Sequence, residues 1–251
     1  MNIHIANNPE ELGKAAGTAA GRLIRDAIEN KGTANIILAT GTSQFQTLNQ
    51  LINEEHIDWS KVIMFHLDEY IGIPVSHPAS FRKYLIERFL EKLPSLKYAH
   101  LINGEADANE ECKRLGSIIR EHPVDVALVG IGENGHLAFN DPPADFDTED
   151  PYIIVHLDER CRQQQLGEGW FTSLEEVPKK AISMSIKQIV KAKNIICSVP
   201  DTRKEIAVKN TMEQKVSNLF PASILQLHPG CRIYLDKNSA ALLSKDITAS
   251  L

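Results

Sequence analysis

The sequence predicts an α/β fold in which a mostly parallel sheet is covered by helices on both faces. Two observations support this prediction: short runs of residues are apolar at consecutive positions, and segments with helical periodicity separate them. Strands that are buried on both faces are expected in such a sheet. A third observation is that no Pro/Gly/Ser-rich linker or internal repeat interrupts this alternation. We therefore expect a single domain over residues 1–251.

The first third of the chain shows the order of helix, strand and loop most clearly. Apolar residues recur at helical spacing over 9–30, which predicts a helix with one buried face. The run 34–39 predicts a strand, and a loop of small residues separates it from a helical pattern at 45–52. The same patterns recur later and predict strands at 62–67, 124–129, 181–185, 194–199 and 231–235, and helices at 78–93, 108–121, 202–211 and 238–243.

Composition excludes several classes of partner. The net charge of -6 argues against nucleic acid, because binding its phosphates requires a concentrated basic face. No run approaches the roughly 18 apolar residues of a membrane span, and the start of the chain is too polar for a signal peptide, so we expect no membrane partner and a cytosolic protein. The four cysteines are far apart in sequence, which indicates neither a metal site nor a disulfide framework.

Polar residues that follow the predicted strands are the candidate functional residues, because ligands of such sheets bind beyond the carboxyl ends of the strands. The loop of Thr40, Gly41, Thr42 and Ser43 offers hydroxyls and free N–H groups at a helix start, where an anion such as a phosphate is favoured. Lys204, near the start of a later helix, is a second candidate phosphate ligand. An ordinary helix cap and a solvated surface lysine are the alternatives.

Two adjacent acids, Asp68 and Glu69, directly follow a strand-like apolar run. We expect at least one of them to be partly desolvated with a raised pKa, which suits proton abstraction from carbon. The alternative is that both acids cap the turn or pair with Arg82 or Lys83.

The glycine-rich loop at 130–142 carries an imidazole, an amide and a carboxylate close together in sequence. His136 can transfer protons near neutral pH, while Asn134 and Asp141 are near enough in sequence to orient its ring. The alternative is a tight glycine turn that half-buries a structural histidine. No serine-hydrolase elbow or zinc-peptidase motif is present, and the loop at 40–43 lacks the glycine patterns of nucleotide-binding sites.

Together these loops resemble the glucosamine-6-phosphate deaminase (isomerase) family, and the likeness covers nearly the whole chain. The matching strings are Thr40-Gly-Thr-Ser43, Asp68-Glu-Tyr-Ile-Gly72, Gly130-Ile-Gly-Glu-Asn-Gly-His136, Phe139-Asn-Asp-Pro142, Arg203-Lys204 and Leu225-Gln-Leu-His-Pro229. The resemblance implies a modified Rossmann-like fold. It also implies conversion of glucosamine 6-phosphate and water to fructose 6-phosphate and ammonia, without a metal or redox cofactor.

The resemblance further implies a role for each matching residue. Asp68 corresponds to the base that takes the proton from C2 of the sugar, and His136 to the acid/base that opens its ring. Asn134 and Asp141 correspond to the residues that assist this histidine. The residues that match the family's phosphate loop and phosphate-binding lysine are Gly41, Thr42, Ser43 and Lys204.

The chain departs from the family pattern at three places. Asp141 stands where the family has glutamate, and Asn134 stands where some members have aspartate. The arginine expected before an aromatic pair is absent from the segment 165–171, and Arg160 and Arg162 are the candidates to replace it.

The segment 142–176 is rich in loops and follows the histidine loop, so we expect it to form a mobile lid. Its first part carries the acids Asp145, Asp147, Glu149 and Asp150 where allosteric members of the family use basic residues. We therefore expect no activation by an N-acetylated sugar phosphate.

Two other functions remain open at this stage. A 6-phosphogluconolactonase shares the fold and the glycine-rich histidine loop, but it needs no base at C2. A sugar-phosphate sensor without catalysis is the alternative from another class of protein. The sequence is compatible with a homo-oligomer and with either a gluco or a galacto substrate.

Overall fold

A seven-stranded parallel sheet forms the centre of the protein. The computed structural model describes residues 2–248, apart from the side chains of residues 246 and 248, so residues 1 and 249–251 of the predicted domain lie outside it. Numbered along the chain, the strands are β1 (Asn2–Ala6), β2 (Ala34–Leu38), β3 (Val62–His66), β4 (Asp68–Tyr70), β5 (Tyr98–His100), β6 (Val126–Val129), β7 (Tyr152–His156), β8 (Lys180–Met184), β9 (Asn194–Val199) and β10 (Cys231–Asp236). The main sheet has the order β1-β10-β9-β6-β2-β3-β5.

Helices cover both faces of this sheet, as the sequence predicts. They are α1 (Pro9–Lys31), α2 (Phe45–Ile52), α3 (Phe81–Arg88), α4 (Ala108–Arg120), α5 (Glu159–Gly167), α6 (Ile186–Val190), α7 (Glu205–Glu213) and α8 (Lys245–Thr248). Ile36 and Met64 pack with α1, α2 and α3 on one face, whereas Ile37 and Phe65 pack with α4, α6 and α7 on the other. Successive residues of a strand point to opposite faces, so both sets of positions must be apolar. The α/β fold class is therefore confirmed.

The strand order places a crevice at the middle of the sheet. From β2 the chain continues outward through β3 to β5, whereas β6 lies on the other side of β2 and leads through β9 and β10 to the opposite edge. Helices that connect strands in opposite directions leave a gap at the carboxyl ends of the two central strands. This gap between the ends of β2 and β6 is where ligands of such sheets bind.

A second, smaller sheet corrects one expectation. The run 181–185, predicted as a strand of the main sheet, forms β8 of a three-stranded antiparallel sheet with the order β4-β8-β7. Its residues are buried because Ile182 and Met184 contact the main core while Ala181 contacts a separate aromatic cluster. Burial on both faces makes β8 as apolar as a central parallel strand, so its composition does not reveal its partners.

Two predicted helices are also shorter or absent. The helix expected at 78–93 begins only after Ser80, whose side chain accepts the N–H of Lys83, and it ends at Arg88 before a short 3₁₀ turn at Leu90–Lys92. The segment 238–243 forms turns instead of a helix. There Ser239 and Asp236 exchange hydrogen bonds that favour a turn directly after β10.

The segment 142–176 contains β7 and α5 and is thus more ordered than a loop-rich lid implies. Helix α5 was missed because its buried positions are Cys161, Gln164 and Gln165, which give no apolar stripe. That this segment moves as a lid stays a prediction. None of the described helices is both long and apolar enough to cross a membrane.

Candidate active site

A cleft of about 550 Å³, including its open mouth, lies at the carboxyl ends of the central strands. Residues that follow β2, β3, β6 and β9 all line it, so the four loops singled out in the sequence meet in one place. The predicted site residues that line the cleft are Thr40, Gly41, Ser43, Asp68, His136 and Lys204. Thr42 belongs to the short 3₁₀ turn at Thr42–Gln44 and does not line it.

Asp68 presents a buried carboxyl group to the cleft. It is the first residue of β4, where it pairs with Ser183 of β8, and only 6% of it is exposed. The described residues give its carboxyl group no hydrogen bond. Burial, and secondarily the nearby Glu69 carboxylate, raise the pKa of Asp68 to about 8. This carboxyl group can therefore gain and lose a proton near neutral pH.

His136 is held by a network of hydrogen bonds behind the cleft. Its Nδ1 lies 2.9 Å from Oδ1 of Asp141, and the Asn134 amide donates to the same oxygen at 2.9 Å. The other oxygen of Asp141 accepts the N–H of Asp158 at 2.9 Å. Burial favours a higher pKa for Asp141, but the hydrogen bond from His136 and the other donors outweigh it, so the pKa of Asp141 is lowered. Asp141 is thus a carboxylate that fixes the imidazole.

The other ring nitrogen of His136 faces the cleft across Gly132. A Cβ atom on Gly132 would lie 2.1 Å from Nε2, which is far inside van der Waals contact. A neutral imidazole that donates from Nδ1 to the Asp141 carboxylate has its lone pair on Nε2, where it can take a proton. Glycine at 132 is therefore required by the position of the imidazole.

The loop that follows β2 is fixed to its neighbours by Gln44 and Tyr84. The fully buried Gln44 places Nε2 3.3 Å from the carbonyl oxygen of Ser198 and 3.4 Å from that of Val129. The Tyr84 hydroxyl donates to the carbonyl oxygen of Gly41 at 3.2 Å. Gly41 has φ +89°, a conformation that favours glycine. The loop is thus held rigidly, with the N-terminal end of α2 behind it.

Lys204 is a buried lysine in the wall of the cleft. It is 5% exposed, lines the cleft, and forms no ion pair with any residue that the structure describes. Burial lowers the pKa of Lys204, while the carboxylates of Glu168 and Glu133 act in the opposite direction. A buried charge is costly unless it is paired. The cleft therefore favours an anionic ligand near Lys204.

Glu69, predicted as a further candidate, does not line the cleft. Its carboxylate accepts the Ser80 hydroxyl at 2.9 Å and the backbone N–H groups of Phe81 and Arg82 at 3.2 and 2.7 Å. It also accepts the N–H of Tyr70 at 2.9 Å. The N–H groups of Phe81 and Arg82 are free donors at the start of α3, so the structure supports the alternative in which this acid caps a turn.

Neither arginine suggested as a replacement lines the cleft. The Arg162 guanidinium donates to the carbonyl oxygens of Val177 and Leu174. Arg160 is exposed and borders a separate surface pocket. Among residues 2–248, no arginine contributes to the cleft wall.

Helix α5 contributes cleft residues that the sequence did not single out as ligands. Gln164, Gln165 and Glu168 line the cleft from its open side. The Tyr70 hydroxyl donates to Oε1 of Gln165 at 2.7 Å, and the N–H of Glu133 donates to Oε1 of Gln164 at 2.8 Å. These two bonds hold Gln165 and Gln164 at the cleft, and nothing in the local sequence predicts them.

One group of side chains has the spacing of a metal site. His136, Asp141 and Cys161 each place a ligand atom within 4.8 Å of the others. However, two of these atoms already share the His136–Asp141 hydrogen bond, and burial raises the pKa of Cys161 strongly. A metal binds the thiolate form of cysteine, so this donor set fits a hydrogen-bonded cluster better than a metal centre.

Comparison with known proteins gives one consistent result. The family model described as glucosamine-6-phosphate isomerases/6-phosphogluconolactonase matches residues 7–233. The glucosamine-6-phosphate deaminase of Bacillus cereus (strain B4264) is 36% identical over 248 residues, which cover 98% of this chain and 91% of the relative. The deaminase of Bacillus thuringiensis (strain Al Hakam) has the same identity and coverage.

Solved structures agree with this result. A monomeric glucosamine-6-phosphate deaminase superposes with a TM-score of 0.85 at 32% identity, covering 96% of this chain and all of the other. The 6-phosphogluconolactonase of Trypanosoma brucei has a TM-score of 0.79 at 19% identity over 97% of this chain and 98% of its own, which shows the shared fold alone. The chain therefore belongs to the glucosamine-6-phosphate isomerase/6-phosphogluconolactonase family.

Proposed function

We propose that the protein is an amino-sugar-phosphate deaminase/isomerase that converts glucosamine 6-phosphate and water to fructose 6-phosphate and ammonia. One observation carries this proposal: Asp68 and His136, which come from different strand ends, line the same cleft as Lys204, which forms no ion pair with residues 2–248. A base, an imidazole and an anion site are the groups that this reaction requires. The deaminases at 32% and 36% identity support the same assignment.

The phosphate lies near Lys204 and the loop of Thr40, Gly41 and Ser43 in this proposal. The 3₁₀ turn at Thr42–Gln44, which leads into α2, begins at this loop, and the start of such a helical segment offers free N–H groups and a favourable dipole. Thr42 does not line the cleft, so we assign the phosphate contacts of this loop to its neighbours. Anchoring the phosphate there directs the sugar toward Asp68 and His136.

Ring opening is the first chemical step, and we assign it to His136. The hydroxyl hydrogen on O1 of the cyclic sugar must leave while O5 gains a proton, and the bond between C1 and O5 breaks. Nε2 takes the proton from O1 and delivers it to O5. Asp141 and Asn134 act as positioning residues, because they hold the imidazole in the form that leaves Nε2 free.

Asp68 then moves the proton of C2. In its ionised form Asp68 takes the C2 proton, the electron pair of the C2–H bond forms a double bond between C1 and C2, and O1 gains a proton from water. Asp68 then returns its proton to C1 while nitrogen loses a proton to the hydroxide that remains, which gives an imine at C2. With a pKa of about 8, Asp68 both accepts and returns a proton near neutral pH. Water then adds to C2 and ammonia leaves, which produces the ketone.

An assay with two substrates tests this proposal. The protein is incubated with glucosamine 6-phosphate and, separately, with 6-phosphogluconolactone, and the release of ammonia and the hydrolysis of the lactone are measured. Ammonia release with little lactone hydrolysis supports the deaminase. Lactone hydrolysis alone would support the lactonase. Binding of the amino sugar phosphate without turnover or exchange of the C2 proton would support the sensor.

Several narrower expectations accompany the proposal. The cytosolic location, a lid at 142–176 and the absence of activation by an N-acetylated sugar phosphate all stay predictions. The monomeric deaminase among the similar structures makes a monomer compatible with this fold.

A further inference from the structure

Glu168 places an unpartnered carboxylate oxygen beside the loop that we assign to phosphate. Its Oε1 accepts a hydrogen bond from Nε2 of Gln164 at 3.2 Å. Its Oε2 is buried and has no hydrogen-bond partner within the described part of the chain. A Cβ atom on Gly41 would lie 3.7 Å from Oε2, so this oxygen lies directly against the loop after β2. A buried acceptor without a donor indicates that a ligand supplies the missing hydrogen.

The charged groups around Glu168 further restrict which ligand can supply this hydrogen. Lys204 is the one lysine or arginine among the described residues that line the cleft. The negative charge of Glu168 partly offsets its positive charge. Arg203 does not line the cleft, and its guanidinium forms ion pairs with Asp201 and Glu133. Tyr84 and Tyr70 also face Glu168, and burial raises the pKa of both phenols, which keeps them neutral.

A doubly charged phosphate group fits this arrangement poorly. Each of its outer oxygens is an acceptor, so one facing Oε2 of Glu168 would place two acceptors and two like charges together in a desolvated cleft. A singly protonated phosphate group has one P–OH donor and two oxygens that share one negative charge. It can satisfy Glu168 with the hydroxyl, and Lys204 and the N–H groups of the loop with the charged oxygens.

We propose that Glu168 is a specificity-determining residue, and that the cleft binds the phosphate ester in its singly protonated form with the P–OH group donating to Glu168. The inference rests on the proposed function only for the position of the phosphate. A phosphate monoester loses its second proton near pH 6, so both forms are present at neutral pH. Glu168 thus selects the minor form at the expense of affinity for a plain dianion.

Comparing two inorganic anions tests this proposal without any turnover. Inorganic phosphate keeps at least one proton at neutral pH, whereas sulfate keeps none. Calorimetric titration of the full chain at pH 7 should give an affinity for phosphate at least about tenfold higher than for sulfate, which corresponds to one hydrogen bond to a charged group. Equal affinities for the two anions in the wild-type protein would overturn the proposal, whatever any variant does.

Two variants locate the effect. Glu168→Gln keeps the shape of the side chain but can donate to sulfate, so it should reduce the preference for phosphate to about twofold or less. Glu29→Gln makes the same change in net charge on the exposed side of α1 and should leave the preference unchanged. If Glu168→Gln keeps the full preference while its thermal unfolding matches the wild type, Glu168 does not select the protonated anion.

Failure of this inference is distinguishable from failure of the proposed function. A protein that releases ammonia from glucosamine 6-phosphate but binds both anions alike retains its function and lacks the selectivity. A protein that prefers phosphate through Glu168 but releases no ammonia retains the selectivity and lacks the function. Binding of neither anion would overturn the phosphate position and the inference together.

Discussion

Oδ1 of Asp141 lies 2.9 Å from Nδ1 of His136, on the side of the ring away from Gly132. The two residues are five positions apart, on a loop that turns back on itself after β6. When Nδ1 donates its hydrogen bond to this carboxylate, Nε2 on the opposite side of the neutral ring can accept a proton in the cleft. The shorter acid found here in place of the family's glutamate therefore still reaches the imidazole.

The first prediction concerns this pair. Asp141→Asn removes the charge that favours the hydrogen on Nδ1, so kcat for ammonia release should fall at least about tenfold, and by up to about 10⁴-fold. The distribution of the hydrogen between the two ring nitrogens, measured by nitrogen NMR, should change as well. Asp26→Asn, an exposed acid on α1, is the matched control. An unchanged tautomer together with normal kcat would show that Asp141 does not position the ring.

The second prediction concerns Gly132. In Gly132→Ala the new methyl group would lie 2.1 Å from Nε2, so the imidazole must move and ammonia release should fall by at least about 100-fold. In Gly167→Ala nothing lies within 4 Å of the new Cβ, and activity should stay within about twofold of the wild type. Circular dichroism should show both variants folded. Equal activity in the two alanine variants would contradict the assigned position of His136.

The third prediction distinguishes the structural role of Glu69 from the catalytic role that we assign to Asp68. Glu69→Gln replaces an acceptor of four hydrogen bonds by an amide, so unfolding in urea should show a loss of about 1–3 kcal/mol of stability. Activity per folded molecule should change less than about tenfold, because the carboxylate faces α3 and not the cleft. Glu91→Gln, an exposed acid, is the control. A normal stability with activity reduced 100-fold or more would place Glu69 in the chemistry.

The contrast between Asp68 and Glu69 shows what the sequence could not decide. Both acids follow the same apolar run, and both were reasonable candidates for the base. The structure adds β4, a three-residue strand in which successive side chains face opposite sides. The side chain of Asp68 therefore faces the cleft, while that of Glu69 faces the start of α3. The strand is too short to give a periodic signal, and its partner β8 lies more than 100 residues later.

The cleft residues of helix α5 are a second part of the site that the sequence did not predict. The ends of β2, β3, β6 and β9 were predictable because apolar runs stop at polar residues, and parallel strand ends share one edge of a sheet. Gln165 and Gln164 reach the cleft with hydrogen bonds to residues far away in sequence, Tyr70 and Glu133. Their spacing gives no pattern that distinguishes them from surface residues. The absence of the family's arginine from residues 165–171 was visible in the sequence, whereas the position of Glu168 beside the loop after β2 was not.

The fourth prediction concerns pH. Asp68 must be ionised to remove the C2 proton, and burial, followed by Glu69, raises its pKa to about 8. At saturating glucosamine 6-phosphate, kcat should therefore rise from pH 6 and level off above about pH 8. Saturation separates this effect from changes in substrate binding. A kcat that is flat from pH 6 to pH 9 would mean that another group removes the proton.

The exchange of the C2 proton in deuterated water measures the central claim most directly. Asp68→Asn keeps the size of the side chain but cannot take a proton, so exchange at C2 and ammonia release should both fall by about 10²–10⁴-fold. Binding of glucosamine 6-phosphate should remain within a few fold of the wild type, because Lys204 and the loop after β2 are unchanged. Exchange at the wild-type rate in Asp68→Asn would contradict the assignment of Asp68 as the base.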